Sequence, residues 1–228
     1  MDFKTFEESI GITFNDAELL RQAFTHRSYV NEHRSEVSGH NERLEFLGDA
    51  VLELVSTRFL YEQFPEKAEG ELTAYRAALV NAITCAEIAT RLNLNDYLLL
   101  SRGESKDNGR ARSVLLANAF EALVGALYID QGYDAAAAFI QKYLFPKLDE
   151  IMEKRLWQDP KSTLQEKIQE TEGVTPSYSV LREVGPDHDK QFVVGVYVRD
   201  ALLAEGEGKA KQEAEQAAAR AALAKKGW

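Results

Sequence analysis

Apolar residues recur at helical spacing through the first two-thirds of the chain. Over residues 41–64 they form one stripe, made of Leu44, Leu47, Val51, Leu54 and Val55. This spacing predicts a helix with one buried face, and Pro65 ends it. The same reasoning predicts helices over 15–29, 70–92, 113–129 and 133–154, with a polar, glycine-containing loop at 101–112. The chain therefore begins with an all-α domain.

The pattern changes after residue 157. Apolar residues alternate along 191–198, at Phe192, Val194, Val196 and Val198, which is the period of a half-buried strand. Shorter strands are predicted over 178–183 and 201–205, and helices over 161–171 and 211–225. The order helix, three strands, helix predicts a small α+β domain. We place the helical domain at 1–155, a linker at 156–160 and the second domain at 161–228.

Composition narrows the class of protein. The chain has 228 residues, 45% hydrophobic and 28% charged, which excludes collagen-like, low-complexity and wholly disordered proteins. Its net charge of −10 argues against a simple nucleic-acid coat protein. A single cysteine, Cys85, cannot form an internal disulfide and favours a reducing compartment. The start lacks a signal-peptide core, and no apolar run approaches ~20 residues, so we expect a soluble, cytoplasmic protein without membrane partners.

Three carboxylates share one face of the helix predicted over 41–64. Glu42, Glu45 and Asp49 fall within an arc of about 60°, roughly opposite the apolar stripe. A solvated acidic face is the ordinary explanation of such an arc. The small residues Gly48 and Ala50 beside Asp49 leave room for another helix or a substrate to approach. The sequence alone leaves both interpretations open.

A second helix carries a stronger signal. Residues 115–127 are apolar on every side except at Asn118 and Glu121, which lie on one face. Burying an ionised Glu is costly unless it is paired or binds a metal. One interpretation pairs Glu121 with an arginine such as Arg43 or Arg76. The other is an all-oxygen cage for Mg²⁺ or Mn²⁺ with two residues from each helix: Glu45, Asp49, Asn118 and Glu121.

Three short segments of the chain resemble those of a known protein family. Residues 41–50, NERLEFLGDA, resemble the signature of the bacterial ribonuclease III family, supported by THRSY at 25–29 and FEALVGA at 120–126. The last third resembles the double-stranded-RNA-binding domain that follows the nuclease domain in that family. The resemblance implies a three-stranded antiparallel sheet with two helices on one face. It also implies a homodimer in which each active site cuts one strand, and no organic cofactor.

The resemblance assigns roles to the acidic residues. It implies metal ligation by Glu45, Asp49 and Glu121 and an assisting catalytic role for Glu42. The remaining family ligand is usually Asp, whereas this chain has Asn118. An Asn keeps a carbonyl oxygen for the metal but removes one negative charge from the site. The expected cofactor is Mg²⁺, with Mn²⁺ as a substitute.

The resemblance also implies three regions of RNA contact, which read A-form shape rather than sequence. They are the first helix of the small domain, the loop at 185–188 and the start of the last helix, with these residues: Ser162, Gln165, Glu166, His188, Lys209, Lys211 and Gln212. Taken singly, His188 could be an ordinary turn residue and the lysines solvated surface. Ala210 and Gln212 depart from the family's usual Ser and basic residue, which predicts weaker, less salt-dependent binding.

The sequence therefore predicts a metal-dependent endoribonuclease that hydrolyses double-stranded RNA. The resemblance implies 5′-phosphate and 3′-hydroxyl ends, and processing of rRNA and of other RNA precursors such as mRNA and tRNA. One alternative is a non-catalytic double-stranded-RNA-binding protein with a weakened metal site. Another is a metal-dependent phosphohydrolase of a smaller substrate. The carboxylate set disfavours the first alternative, and the appended RNA-binding domain disfavours the second.

Overall fold

The computed structural model of the protein describes residues 2–33, 37, 39–106, 109–185 and 190–228. The chain divides into two compact units, Met1–Trp157 and Gln158–Trp228. Each unit has a hydrophobic core of its own. His188, predicted to contact RNA, lies outside the described residues.

The first unit is helical, as the apolar spacing predicts. Its helices are α1 (Phe3–Ile10), α2 (Ala17–Ala23), α3 (Arg27–Glu32), α4 (Glu42–Gln63), α5 (Glu69–Leu79), α6 (Ala82–Arg91), α7 (Arg110–Gln131), α8 (Tyr133–Tyr143) and α9 (Lys147–Glu153). Short 3₁₀ turns occupy Leu94–Tyr97 and Glu104–Lys106. The predicted helices over 41–64 and 113–129 are confirmed as α4 and α7.

The helix predicted over 15–29 is wrong, because the chain breaks at Thr25. Thr25 forms an isolated parallel bridge with Leu99. The Leu99 amide donates to the Phe24 carbonyl at 2.9 Å, and the His26 amide donates to the Leu99 carbonyl at 3.0 Å. These long-range hydrogen bonds replace the helical ones, so α2 ends at Ala23 and α3 begins at Arg27. Helical spacing on both sides of the break concealed it.

Two other predicted helices are also split. Over 70–92 the break is at Asn81, whose side-chain oxygen caps α6 by accepting from the Thr84 amide at 2.9 Å. Asn is among the residues that favour this cap position. Over 133–154 the break is at Pro146, which has no amide hydrogen to continue a helix. The apolar periodicity therefore failed to predict these helix boundaries, because the capping residues Asn81 and Pro146 lie inside a continuous apolar repeat.

Helix α7 forms the centre of the first unit. Ala117, Phe120, Leu123, Val124 and Leu127 are all buried in its core. By length and composition alone, Ala111–Gln131 could cross a membrane, so the expectation that no apolar run approaches that length is wrong. More than half of that segment is buried inside the unit. Its apolarity is accounted for by this central position, since a helix apolar all round is a buried one.

The second unit has the order predicted for it: α10 (Pro160–Glu172), β1 (Ser177–Val184), β2 (Gln191–Val198), β3 (Ala201–Gly208) and α11 (Lys211–Lys226). The strands form one antiparallel sheet in the order β1-β2-β3, with Val194 paired to Val180 and to Gly206. Both helices contribute to one core with the sheet, through Leu164, Ile168, Val196, Ala218 and Ala222. The predicted fold class is confirmed.

Candidate active site

Helices α4 and α7 touch through their backbones at two glycines. A methyl group on Gly48 would overlap the carbonyl oxygen of Glu121 and lie 2.9 Å from the Gly125 nitrogen. A methyl group on Gly125 would overlap the carbonyl oxygen of Leu44 and lie 3.0 Å from the Gly48 nitrogen. No side chain fits at either position without separating the helices. The two glycines therefore set how closely the acidic residues of α4 approach those of α7.

The carboxylates of the two helices influence one another's ionisation. The pKa of Glu121 is raised to about 7, first by burial and then by the negative charges of Asp49 and Glu45. The pKa of Glu45 is also raised, by burial and then by Glu42 and Asp49. Like charges that are close and partly removed from water disfavour ionisation in this way. The structure thus brings the acidic arc of α4 against Glu121, as the sequence suggested.

Neither arginine proposed as a partner for Glu121 pairs with it in the described part of the chain. The Arg76 Nη1 atom donates to the Thr57 hydroxyl at 2.8 Å. Arg43 is exposed and lines a cavity with Glu42. The pairing explanation of Glu121 therefore finds no support among these residues, and the cluster keeps an excess of negative charge.

The donor set suits a hard divalent cation. Asn118 lies one turn before Glu121 on α7, half-buried, and offers a neutral carbonyl oxygen. Within the described residues, no three His, Cys, Asp or Glu side chains are already grouped as metal ligands. Carboxylate and amide oxygens are nevertheless the donors that Mg²⁺ and Mn²⁺ prefer. A cation would also relieve the repulsion that raises the pKa of Glu121. The chemistry of these donors therefore fits such an ion.

Glu42 lies at the edge of this cluster, and two basic side chains flank it. Its Oε1 is 3.6 Å from the Arg27 Nη1, and its Oε2 is 3.7 Å from the His40 Nδ1. Arg27 is the first residue of α3 and comes from the THRSY segment at 25–29. Sequence reasoning named Glu42 but missed these partners. The sequence held one signal for them, the positive charge of Arg27 in the THRSY segment, to which no role had been assigned.

Cys85 lies on α6, close enough to Glu121 and Asp49 for their charges to affect its thiol. Its side chain is fully buried, and the sulfur is 3.6 Å from the Val80 carbonyl oxygen. Burial, followed by the charges of Glu121 and Asp49, raises the pKa of the thiol to about 12. The thiol therefore stays protonated near neutral pH and is a poor metal ligand there.

In the second unit, the predicted RNA-contact residues that the structure describes are all exposed. Ser162, Gln165 and Glu166 lie on α10, where the Ser162 hydroxyl donates to the Asp159 carboxylate at 2.6 Å. Lys211 and Gln212 begin α11, and Lys209 lies two residues before it. The two groups are on different elements of one unit.

Comparison with known proteins accounts for both units. The family described as "Ribonuclease-III-like" matches residues 16–148, and the double-stranded RNA binding motif matches residues 160–226. A protein named Ribonuclease 3 from Geobacillus kaustophilus is 48% identical over 221 residues, 97% of this chain and 89% of its own length. Another of that name, from Anoxybacillus flavithermus, is 49% identical and covers 98% and 93%.

Solved structures agree with these matches. The nuclease domain of ribonuclease III from Campylobacter jejuni superposes with a TM-score of 0.58 at 39% identity, and covers 64% of this chain and 99% of that domain. A second structure of that domain gives the same TM-score at 38% identity. The chain belongs to the ribonuclease III family and is an endoribonuclease whose nuclease domain is followed by a double-stranded-RNA-binding domain.

Proposed function

We propose that this endoribonuclease cuts double-stranded RNA at the acidic cluster where α4 and α7 cross. Nucleases of this family depend on a metal ion, and we propose Mg²⁺, with Mn²⁺ as a substitute. The ion would be held by Glu45, Asp49, Asn118 and Glu121, with Glu42 assisting the reaction. The observation that carries this proposal is the close crossing of α4 and α7 at Gly48 and Gly125, which brings Asp49 and Glu45 near enough to the half-buried Glu121 for their charges to add to the effect of burial on its pKa.

Each residue of the cluster has a defined task in this proposal. A bound Mg²⁺ supplies a Lewis acid that activates water and polarises the scissile phosphate. Glu121 must release its proton before it can bind a cation, so ion binding and deprotonation are coupled. Asn118 adds an oxygen without adding charge. Hydrolysis would leave 5′-phosphate and 3′-hydroxyl ends, and the substrates would be precursors of rRNA, mRNA and tRNA.

The second unit would hold the duplex through Ser162, Gln165, Glu166, His188, Lys209, Lys211 and Gln212. This unit carries ten Lys and Arg residues against twelve Asp and Glu residues, so it has no general attraction for a polyanion. Its affinity must come from a few well-placed cations and from polar contacts to the minor groove. The exposure of these side chains on α10 and α11 supports the assignment.

We further propose that the nuclease units form a homodimer. Phe46 is 82% exposed on α4, although it is a large apolar residue. It lines a cavity of about 590 Å³ together with Leu19, Leu47 and Ile129. An exposed aromatic beside an apolar cavity is typical of a contact surface. In the Campylobacter jejuni nuclease domain, a structurally flexible region is involved in dimer formation. Light scattering of the full chain at micromolar concentration should give twice the monomer mass, and a monomer would contradict the proposal.

A cytoplasmic location fits the chemistry of the chain. Its only cysteine is free and buried. The proposed RNA precursors are also found where transcription takes place. A fractionation experiment with an antibody against the protein would test this location.

The decisive test of the active site is Glu121→Gln. The change removes a charged ligand without changing the shape of the side chain, so cleavage of a long RNA duplex in Mg²⁺ should be abolished. Duplex binding, measured by gel shift without divalent ions, should be nearly unchanged because the binding residues lie in the other unit. Glu66→Gln, at an exposed position after α4, is the matched control and should cut normally.

Two results would count against the proposal. A near-wild-type rate for Glu121→Gln would remove this residue from the mechanism. A wild-type protein that binds the duplex and never cuts it, in Mg²⁺ or in Mn²⁺, would favour the non-catalytic alternative.

A further inference from the structure

A single acidic residue contacts two lysines in the RNA-binding unit. Glu183 lies near the end of β1, and its Oε1 is 3.5 Å from the Nζ of Lys211, the first residue of α11. Its Oε2 is 3.4 Å from the Nζ of Lys190, which precedes β2. Lys211 also lies over the Phe192 ring, 5.5 Å from its centroid. The carboxylate therefore sits within a small group of positive charges.

The Glu183 carboxylate contacts Lys211 in the way that a phosphate group would. It presents an oxygen to Lys211, as a phosphate of the RNA backbone would, and it neutralises part of the positive charge there. We propose that Glu183 competes with RNA phosphate for Lys211 and thereby sets the affinity of this domain for duplex RNA. This inference rests on the proposed function, in which Lys211 contacts phosphate.

The exposure of the pair makes exchange with a phosphate feasible. The Lys211 side chain is 58% exposed and that of Glu183 is 38% exposed. Ion pairs as open as this one are weak, and a phosphate can replace the carboxylate without burying an unpaired charge. The same carboxylate also repels the phosphate that approaches. Both effects act against binding.

The effect of Glu183 on RNA affinity should be measurable because the second unit has few cations that can contact phosphate. Its acidic residues outnumber its basic ones. At the start of α11 the cations are Lys209 and Lys211, while position 212 is a neutral Gln. Partial neutralisation of Lys211 therefore removes a large part of the positive charge that Lys209 and Lys211 together supply at the start of α11.

The test compares Glu183→Gln with the wild type in the full chain. The probe is a short blunt RNA duplex, and EDTA prevents cleavage during the titration. The variant should bind the duplex about two- to fivefold more tightly at low salt, the range expected from the strength of one exposed ion pair. The gain should shrink toward zero at high salt, because exposed charges are then screened.

A double-mutant cycle separates competition for Lys211 from general repulsion of RNA. In a Lys211→Gln background, Glu183→Gln should give much less than its gain in the wild type. Glu205→Gln, which removes an acid 4.0 Å from Arg182 on the same sheet, is the matched control and should leave the affinity within about twofold. An equal gain in both backgrounds, no gain, or weaker binding by Glu183→Gln would overturn the inference. Weaker binding would mean that Glu183 orients the lysine for RNA.

Lys211→Gln alone tests the proposed RNA surface independently. It should weaken duplex binding and reduce the slope of log K against log salt by about 1. If this variant binds as the wild type does, Lys211 does not contact RNA and the proposed surface is wrong at this residue. If it binds more weakly while Glu183→Gln is neutral, the surface stands and only the competition is overturned.

Discussion

Glu121→Gln should make the metal-free nuclease unit more stable above neutral pH, although we also expect it to abolish cleavage. Burial, Asp49 and Glu45 together raise the pKa of Glu121 from 4.5 to about 7. A carboxyl with a raised pKa binds its proton more tightly in the folded state than in the unfolded state. Its stabilising contribution is therefore complete at low pH and is lost as the pH rises from about 4.5 to 7. A Gln at this position has no such loss.

The size of the effect follows from that shift. A rise to about 7 corresponds to about 3 kcal/mol at full strength. The side chain is only half-buried, so solvent screens the interaction and we expect about 1–2 kcal/mol. For a protein of this size, that free energy raises the midpoint of thermal unfolding by roughly 3–6 °C. At pH 5.5, where Glu121 is mostly protonated in the folded protein, the difference should fall below about 1 kcal/mol.

The chain contains a suitable probe of this transition. Trp157 belongs to the nuclease unit and packs edge-on against Tyr75, with ring centroids 5.0 Å apart. The other tryptophan, Trp228, belongs to the second unit, so both proteins would carry Trp228→Phe. Fluorescence melting in EDTA at pH 5.5 and pH 8 then reports the nuclease unit alone. Glu66→Gln serves as the control for loss of a carboxylate.

A variant that is less stable than the wild type at pH 8 would refute this reasoning, as would the same shift at both pH values. Addition of Mg²⁺ at pH 8 supplies a second check. The ion should stabilise the wild type more than Glu121→Gln, because a ligand that binds the folded state raises its stability.

Two further predictions concern the same crossing of helices. Asn118→Asp adds a fourth negative charge to the proposed ion site, so a Mg²⁺ titration of the initial cleavage rate should reach half-saturation at a lower concentration; an unchanged or higher value would mean that Asn118 is not a ligand. Gly48→Ala should destabilise the nuclease unit by about 3 kcal/mol and abolish cleavage, because the methyl group overlaps the Glu121 backbone. Gly70→Ala is its control, since a methyl group there meets nothing within 4 Å, and a normal melting temperature for Gly48→Ala would contradict this close crossing of α4 and α7.

The sequence predicted the secondary-structure elements well where one residue pattern governs them. Strand β2 has the predicted bounds, and Val196 and Val198 of its alternating residues lie in the core of the second unit. The helix breaks at Thr25 and Pro146 were missed for different reasons. On either side of Thr25, the Phe24 carbonyl and the His26 amide bond to Leu99, which is far along the chain, so no local pattern reveals this break. Pro146 was visible in the sequence, but the apolar repeat on both sides outweighed it.

The nearness of the acidic residues was predictable from the sequence, and the resulting shifts of their pKa values were not. The family-like segment pointed to Glu45, Asp49 and Glu121, and the structure brings them into mutual influence. Spacing along one helix cannot say how near a second helix comes. That distance depends on the contact of Gly48 with Gly125, which joins segments far apart in the chain. The same limit applies to Glu183, whose contact with Lys211 crosses from a strand to a helix.

The contact of Gly48 with Gly125 separates two kinds of information in the sequence of any related chain. A chain that has exchanged its carboxylates while retaining both glycines can keep the architecture and lose the chemistry. A chain with a larger residue at either glycine cannot bring those carboxylates together, whatever acids it retains. The glycines therefore report whether a site can exist, and the acids report whether it can react. In sorting active enzymes from inactive relatives, the two signals should be read independently, and the glycines first.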